Sequence, residues 1–248
     1  MPLARDDYLA HLAHDGGRMA DLARGDLEAP VPTCPEWTLK DLLEHTGQVH
    51  RWQTEACRVD AGGFPDVAGM QAVPADGQSL AEWFQEGVDT AVTTMQAVAP
   101  GEPRWTWAKP EGGETTDWYF RRIAQETLVH RMDAELAASG QVTDVDPDLA
   151  ADGIAEMFEV FLPLVGNQPI GGKGESVHLH AIDAESEWLV TLFADRVAGV
   201  PGHAKGDAAL RGTARDLLLM VWGRDPLDTV ERLGDEAAIA TFIAGTKA

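Results

Sequence analysis

The stretch Gln125-Glu126-Thr127-Leu128-Val129-His130 constrains this chain more than any other. It lies inside a pattern that predicts a helix from about Thr116 to Ala138. On a period of 3.6 residues, Tyr119, Ile123, Glu126, His130, Ala134 and Ala137 fall on one face. That face is otherwise apolar or small, so it should point into the protein. A carboxylate and an imidazole one turn apart on a buried face need a partner, because an unpaired buried charge is costly. A divalent cation is an economical one: side chains at i and i+4 meet on a helix, and zinc accepts both nitrogen and oxygen ligands. A fold that completes such a site must bring a third ligand from another segment.

Three more helices precede this one. The first spans about Asp6 to Arg24, with Tyr8, Leu12, Met19 and Leu22 as an imperfect stripe that Gly16 and Gly17 should weaken. Pro30, Pro32 and Pro35 make the following segment a loop. A second helix runs from about Leu39 to Val59, with Thr38 as N-cap and Asp41 placed well for the helix dipole. Residues 62–78 read as a long loop. Ser79-Leu80-Ala81-Glu82 has the capping-box pattern and opens a third helix to about Val98. Glu102 to Glu114 is an irregular connection, and Ser139-Gly140 ends the fourth helix. Four such helices fit an antiparallel bundle with two long crossings.

The pattern changes near residue 145. Asp146-Pro147 is an N-cap followed by proline at the first helical position, and a fifth helix should run to about Leu164. Then the period becomes two. Ser176 to Ile182 and Glu187 to Phe193 read as strands joined by a turn, with shorter strands near Arg196 to Val200 and Asp207 to Arg211. An apolar helix ending at Trp222-Gly223-Arg224 and a last helix over about Glu236 to Ala244 follow. The fold class expected is therefore α+β: a four-helix bundle over residues 1–145 and a small α+β domain over 146–248.

The formal net charge of −22 argues against nucleic acid and anionic membranes as partners, both of which need basic patches. Two cysteines, Cys34 and Cys57, make no disulfide framework. With no signal-peptide pattern and no apolar run of membrane length, a cytoplasmic setting is expected.

The bundle helices can supply the third ligand. His45 and His50 both lie on the second helix, and spacing does not choose between them. Two imidazoles, a carboxylate and an open position are the arrangement of catalytic zinc. The alternative is a buried Glu–His hydrogen bond. His178 and His180 share one strand face at spacing two, as metal ligands do in some sheets; a partly exposed strand face is the reading favoured. Cys34 precedes a helix N-terminus but reads as a small apolar residue. Trp37, Trp52, Trp105, Trp107 and Trp118 read as core, and Gly171-Gly172-Lys173-Gly174 as a turn without Walker spacing. Arg224 is a candidate anion-binding residue, because a guanidinium grips a carboxylate bidentately; a helix C-terminal cation is the competing role.

The run from Cys34-Pro35-Glu36-Trp37-Thr38 to Leu43-Glu44-His45-Thr46-Gly47 resembles the signature of the mycothiol-dependent maleylpyruvate isomerase family. Gln125 to Glu135 resembles its second signature, and Asp216 to Arg224 the closing motif of its C-terminal domain. The resemblance covers nearly the whole chain in order. It implies a DinB-like metal-binding bundle followed by a sterol-carrier-like domain. It also implies zinc, or another divalent metal, on His45, Glu126 and His130, which favours His45 over His50.

The reading that follows is an enzyme. A metal-bound thiolate of a small thiol, mycothiol, attacks a small electrophilic substrate, giving isomerisation or thiol transfer, with Arg224 holding a substrate carboxylate. Because ligand sites favour domain interfaces, the site is expected to open towards the seam. The alternative is a non-catalytic metal- or ligand-binding protein with an apolar cavity in the C-terminal domain.

Overall fold

The structure, a computed structural model, describes residues 2–108, 114–165, 170–224 and 228–246. The chain divides into two compact units, Pro2–Asp144 and Val145–Ala248. The first holds four long helices: α1 (Arg5–Leu22), α2 (Leu39–Ala56), α3 (Leu80–Gln96) and α4 (Thr116–Ser139). α1 and α2 each pack against both α3 and α4. Their core gathers Leu12, Met19, Leu42, Leu43, Phe84, Val88, Ile123 and Leu128, all without exposure. Burying one such side chain contributes about 1.5–3 kcal/mol.

Helix starts follow the local chemistry. Thr38 and Ser79 each close a full capping box, with Asp41 and Glu82 as the reciprocal acids. Gly140 ends α4 in the left-handed conformation. α1, however, runs unbroken through Gly16, which the sequence marks as a weak point. A Cβ at Gly16 would lie 2.6 Å from Val88 Cγ2, so glycine here lets α1 approach α3 closely. Gly47 does the same for α2 under the Trp83 ring, at 2.3 Å. The loop over 62–78 contains one short 3-10 turn, Ala68–Gln71.

α4 buries polar groups as well as apolar ones. The Arg131 side chain, 1% exposed, has Nε 3.2 Å from Asp15 on α1 and Nη1 3.1 Å from Glu135. Arg131 Nη1 also donates to Thr143 Oγ1, while Arg18 on α1 pairs with Glu135 at 2.9 Å. This network ties α1, α4 and the segment leaving α4 together. Breaking one partner would leave a buried charge uncompensated, a loss of about 3–5 kcal/mol.

The second unit opens with α5 (Pro147–Glu156), capped by Asp146, which accepts from the backbone of Asp148 and Leu149. The single helix expected there is not uniform: a π turn over Met157–Phe161 separates α5 from α6 (Leu162–Val165). Five strands follow: β1 (Ser176–Ala181), β2 (Glu187–Leu192), β3 (Val197–Pro201), β4 (Ala208–Gly212) and β5 (Glu231–Gly234). Their order is β3-β2-β1-β4-β5, with β1 and β4 parallel and the other pairs antiparallel. α7 (Ala214–Val221) and α8 (Glu236–Gly245) pack on this sheet. Val177, Leu179, Val190, Leu192 and Leu210 form the sheet's buried side, with Leu217, Leu218, Ile239 and Phe242 from the helices.

β5 has no counterpart in the sequence reading. It is a fully exposed edge strand, so no buried face imposes an alternating pattern on it. Among the described residues no helix is long and apolar enough to cross a membrane.

Candidate metal centre

The bundle brings together the three residues that the sequence singles out. Glu126 and His130 stand one turn apart on α4, with Glu126 Oε1 3.3 Å from His130 Nε2. From α2, His45 Nε2 reaches to 3.7 Å of the same oxygen. The His45 and His130 rings meet edge to face, 5.3 Å between centroids. Their donor atoms and a Glu126 oxygen all lie within 4.8 Å of one another. The side chains are 35% (His45), 17% (Glu126) and 11% (His130) exposed, so the trio is closed at its base and open beside His45.

A second layer holds the first in place. His130 Nδ1 donates to Asp133 Oδ2 at 3.0 Å, which leaves Nε2 to face Glu126 and His45. Asp133 is fully buried and is itself fixed by Thr33 Oγ1 at 2.6 Å and Cys34 Sγ at 3.9 Å. Arg122 Nη2 donates to Glu126 Oε2 at 2.9 Å, so the other oxygen is the one that faces the imidazoles. The Trp37 ring lies 5.0 Å from the His45 ring. Asp133 and Arg122 escape a reading of the sequence for ligands. Their signal is the helical spacing, three residues after His130 and four before Glu126.

The electrostatics follow. Burial alone would push a proton off His130, but the hydrogen bonds to Asp133 and Glu126 outweigh it and raise its pKa to about 9. Burial works against the Glu126 carboxylate too, and its bonds to His130 and His45 override that, holding it well below the usual carboxylate range. The His130 ring thus stands between two carboxylates, Asp133 and Glu126, a concentration of negative charge that suits a cation. The donor set of two imidazoles and one carboxylate fits zinc, and the His130–Asp133 pair is the carboxylate–histidine arrangement that fixes a ligand's tautomer.

His50 does not join the site. Its imidazole is fully buried and its Nε2 lies 2.8 Å from Thr127 Oγ1. Thr127 already gives its own hydroxyl proton to the Ile123 carbonyl, so His50 Nε2 must be the donor, and burial pushes the ring's pKa down to about 3. Arg224 lies past the end of α7, in the second unit. Its Nη1 donates to the Trp222 carbonyl at 2.7 Å, and its guanidinium lies 5.7 Å from the Trp222 ring centroid. Cys57 is buried, and burial pushes its thiol up to about 11. Trp52 pairs edge to face with Trp105, and Trp107 with Trp118.

Comparison with known proteins agrees across both units. The family model described as mycothiol maleylpyruvate isomerase N-terminal domain matches residues 9–135, and that of the corresponding C-terminal domain matches residues 148–241. Two proteins of Mycobacterium tuberculosis, from strains CDC 1551 / Oshkosh and ATCC 25618 / H37Rv, are each 31% identical over 143 residues, covering 55% of this chain and 68% of theirs; both are described as uncharacterized. Among solved structures, a mycothiol-dependent maleylpyruvate isomerase superposes with a TM-score of 0.61 at 14% identity, covering 93% of each chain. A histidine-to-alanine mutant of such an isomerase gives 0.60 at 12% identity, again over 93% of each. At these identities the structures speak for the fold: a four-helix unit followed by a small α+β unit.

Proposed function

This chain belongs to the mycothiol maleylpyruvate isomerase family, and from that premise we propose that it is a zinc-dependent enzyme using mycothiol to isomerise, or transfer sulfur to, a small electrophilic substrate. The observation that carries the reading is the held geometry of His130, its Nδ1 bonded to buried Asp133 and its Nε2 turned towards Glu126 and His45. A purely structural Glu–His pair needs neither the Asp133 anchor nor a second imidazole open to solvent.

His45, Glu126 and His130 hold the metal. Asp133 fixes the His130 tautomer, and Thr33 and Cys34 fix Asp133. Arg122 occupies the outer oxygen of Glu126 and neutralises part of its charge. When bound, the cation supplies the Lewis acidity that keeps a low-molecular-weight thiol deprotonated near neutral pH. The partly exposed His45 side leaves room for that thiol and its electrophile to enter. Arg224 is the proposed anchor for a substrate carboxylate, where Arg224→Lys would keep the charge but lose the fork and should raise KM more than it lowers kcat.

The test is metal content. Untagged protein, loaded with zinc and dialysed, should hold one equivalent more than the His45→Ala, His130→Ala double variant. Equal zinc in the two would remove this centre.

A further inference from the structure

The sheet of the second unit carries a separate convergence of metal-ligating side chains, independent of the bundle centre. We propose that His178, His180, His203 and Glu187 form a second divalent-cation site.

Three pieces of chain build it. On β1 the period of two places His178 and His180 on one face, while Val177, Leu179 and Ala181 alternate to the buried side. The antiparallel register sets Glu187 of β2 directly opposite His180. β3 then turns back, and Gly202 donates to the Glu187 carbonyl at 2.8 Å, which brings His203 over the same spot. All three imidazoles aim a ring nitrogen at one carboxylate. His178 Nε2 is 2.7 Å and His203 Nδ1 2.5 Å from Oε2, and His180 Nδ1 is 3.1 Å from Oε1. The donor atoms of His178, His180 and Glu187 lie within 4.8 Å of one another. The His178 ring meets those of His203 and His180 edge to face at 5.2 and 6.0 Å.

This is more than polar satisfaction requires. His178 is 8% exposed, and Glu187 alone supplies the partner its Nε2 needs. The His203 side chain is 79% exposed, has water available, and nonetheless points at the same carboxylate. The cluster thus grades from a buried ligand at its floor to an exposed one at its rim, which gives an ion a way in. A cleft of about 380 Å³, lined by His178, His203, Lys205 and Asp207 among others, opens beside it and leaves space for water or an anion to complete the coordination. Imidazole nitrogen with a single carboxylate, and no thiolate, selects zinc and its first-row neighbours nickel and copper over calcium or magnesium.

The experiment uses the untagged full chain carrying His45→Ala and His130→Ala, so that the bundle contributes no imidazole pair. Zn²⁺ is titrated against a chromogenic chelator, and Co²⁺ is added in parallel to read the visible bands of a low-coordinate nitrogen–oxygen site. The expected result is one Zn²⁺ per chain in that background. Adding His203→Ala should weaken binding by more than about tenfold, the scale on which even an outer-sphere partner acts. Adding His180→Ala as well should abolish it, with the far-ultraviolet circular dichroism unchanged. No Zn²⁺ bound in the first background, or binding undiminished after His180 and His203 are replaced, would overturn the proposal. Neither result bears on the bundle centre, which is read from its own pair of variants.

Discussion

At the scale of single residues the account turns on side chains that touch no substrate. Asp133 is the sharpest case: it is fully buried and bonded to His130 Nδ1, so its removal frees the ring to rotate or change tautomer. Asp133→Asn should lower zinc affinity at the bundle centre by about 10–100-fold, measured by chelator competition, with the helix content retained. An unchanged affinity would mean that His130 is oriented by something else. His50 makes a second prediction, about stability. Burial drives its pKa from 6.5 down to about 3, so the unfolded chain binds this proton more readily than the folded one. Stability from His50 is therefore fully present above pH 6.5 and is lost as the pH falls from there towards 3, at up to about 1.4 kcal/mol per pH unit. His50→Gln keeps an amide donor for Thr127 but does not titrate. Its urea midpoint should fall less steeply than that of the wild type between about pH 6.5 and 4.5; parallel slopes would contradict the assignment.

At the scale of elements, two glycines in helices should respond in opposite directions. Gly47→Ala drives a methyl group into the Trp83 ring and should cost about 1–3 kcal/mol, seen as a lower melting temperature. Gly17→Ala meets only Gln85 Oε1 at 3.9 Å and should stabilise α1 by about 0.5–1 kcal/mol. Both glycines look alike in the sequence, because helix propensity is a local property and close approach is not. The same divide separates what was legible from what was not. The long helices announce themselves through apolar period and through Thr38, Ser79 and Gly140, whose partners lie within a few residues. Glu126 and His130 are legible for the same reason. The choice of His45 over His50 is not legible from spacing, since both lie on α2; it rests on the family resemblance, and in the fold the packing of α2 against α4 turns His45 to Glu126 and His50 to Thr127. The Arg131–Asp15 pair and the pairing of exposed β5 with β4 depend on partners distant in the chain. His178 likewise reads as a partly exposed strand residue, yet it is 8% exposed, with Glu187 and His203 against its ring.

At the scale of the whole molecule, the proposed chemistry draws its sulfur from outside the chain. Cys57 is buried with a thiol pushed up to about 11, and Cys34 serves as a donor to Asp133, a role that a serine hydroxyl can fill. The Cys34→Ser, Cys57→Ser double variant should therefore keep its activity when an external thiol is supplied. Loss of activity in that variant, with zinc still bound, would place the nucleophile on the chain itself. The most direct test of the central claim is turnover of an activated cis-alkene acid, or of a generic electrophile, by chelated protein with zinc and mycothiol added back separately and together. The account predicts turnover only when both are present, and none in His45→Ala under the same conditions. Turnover without the thiol, or undiminished turnover in His45→Ala, would contradict it.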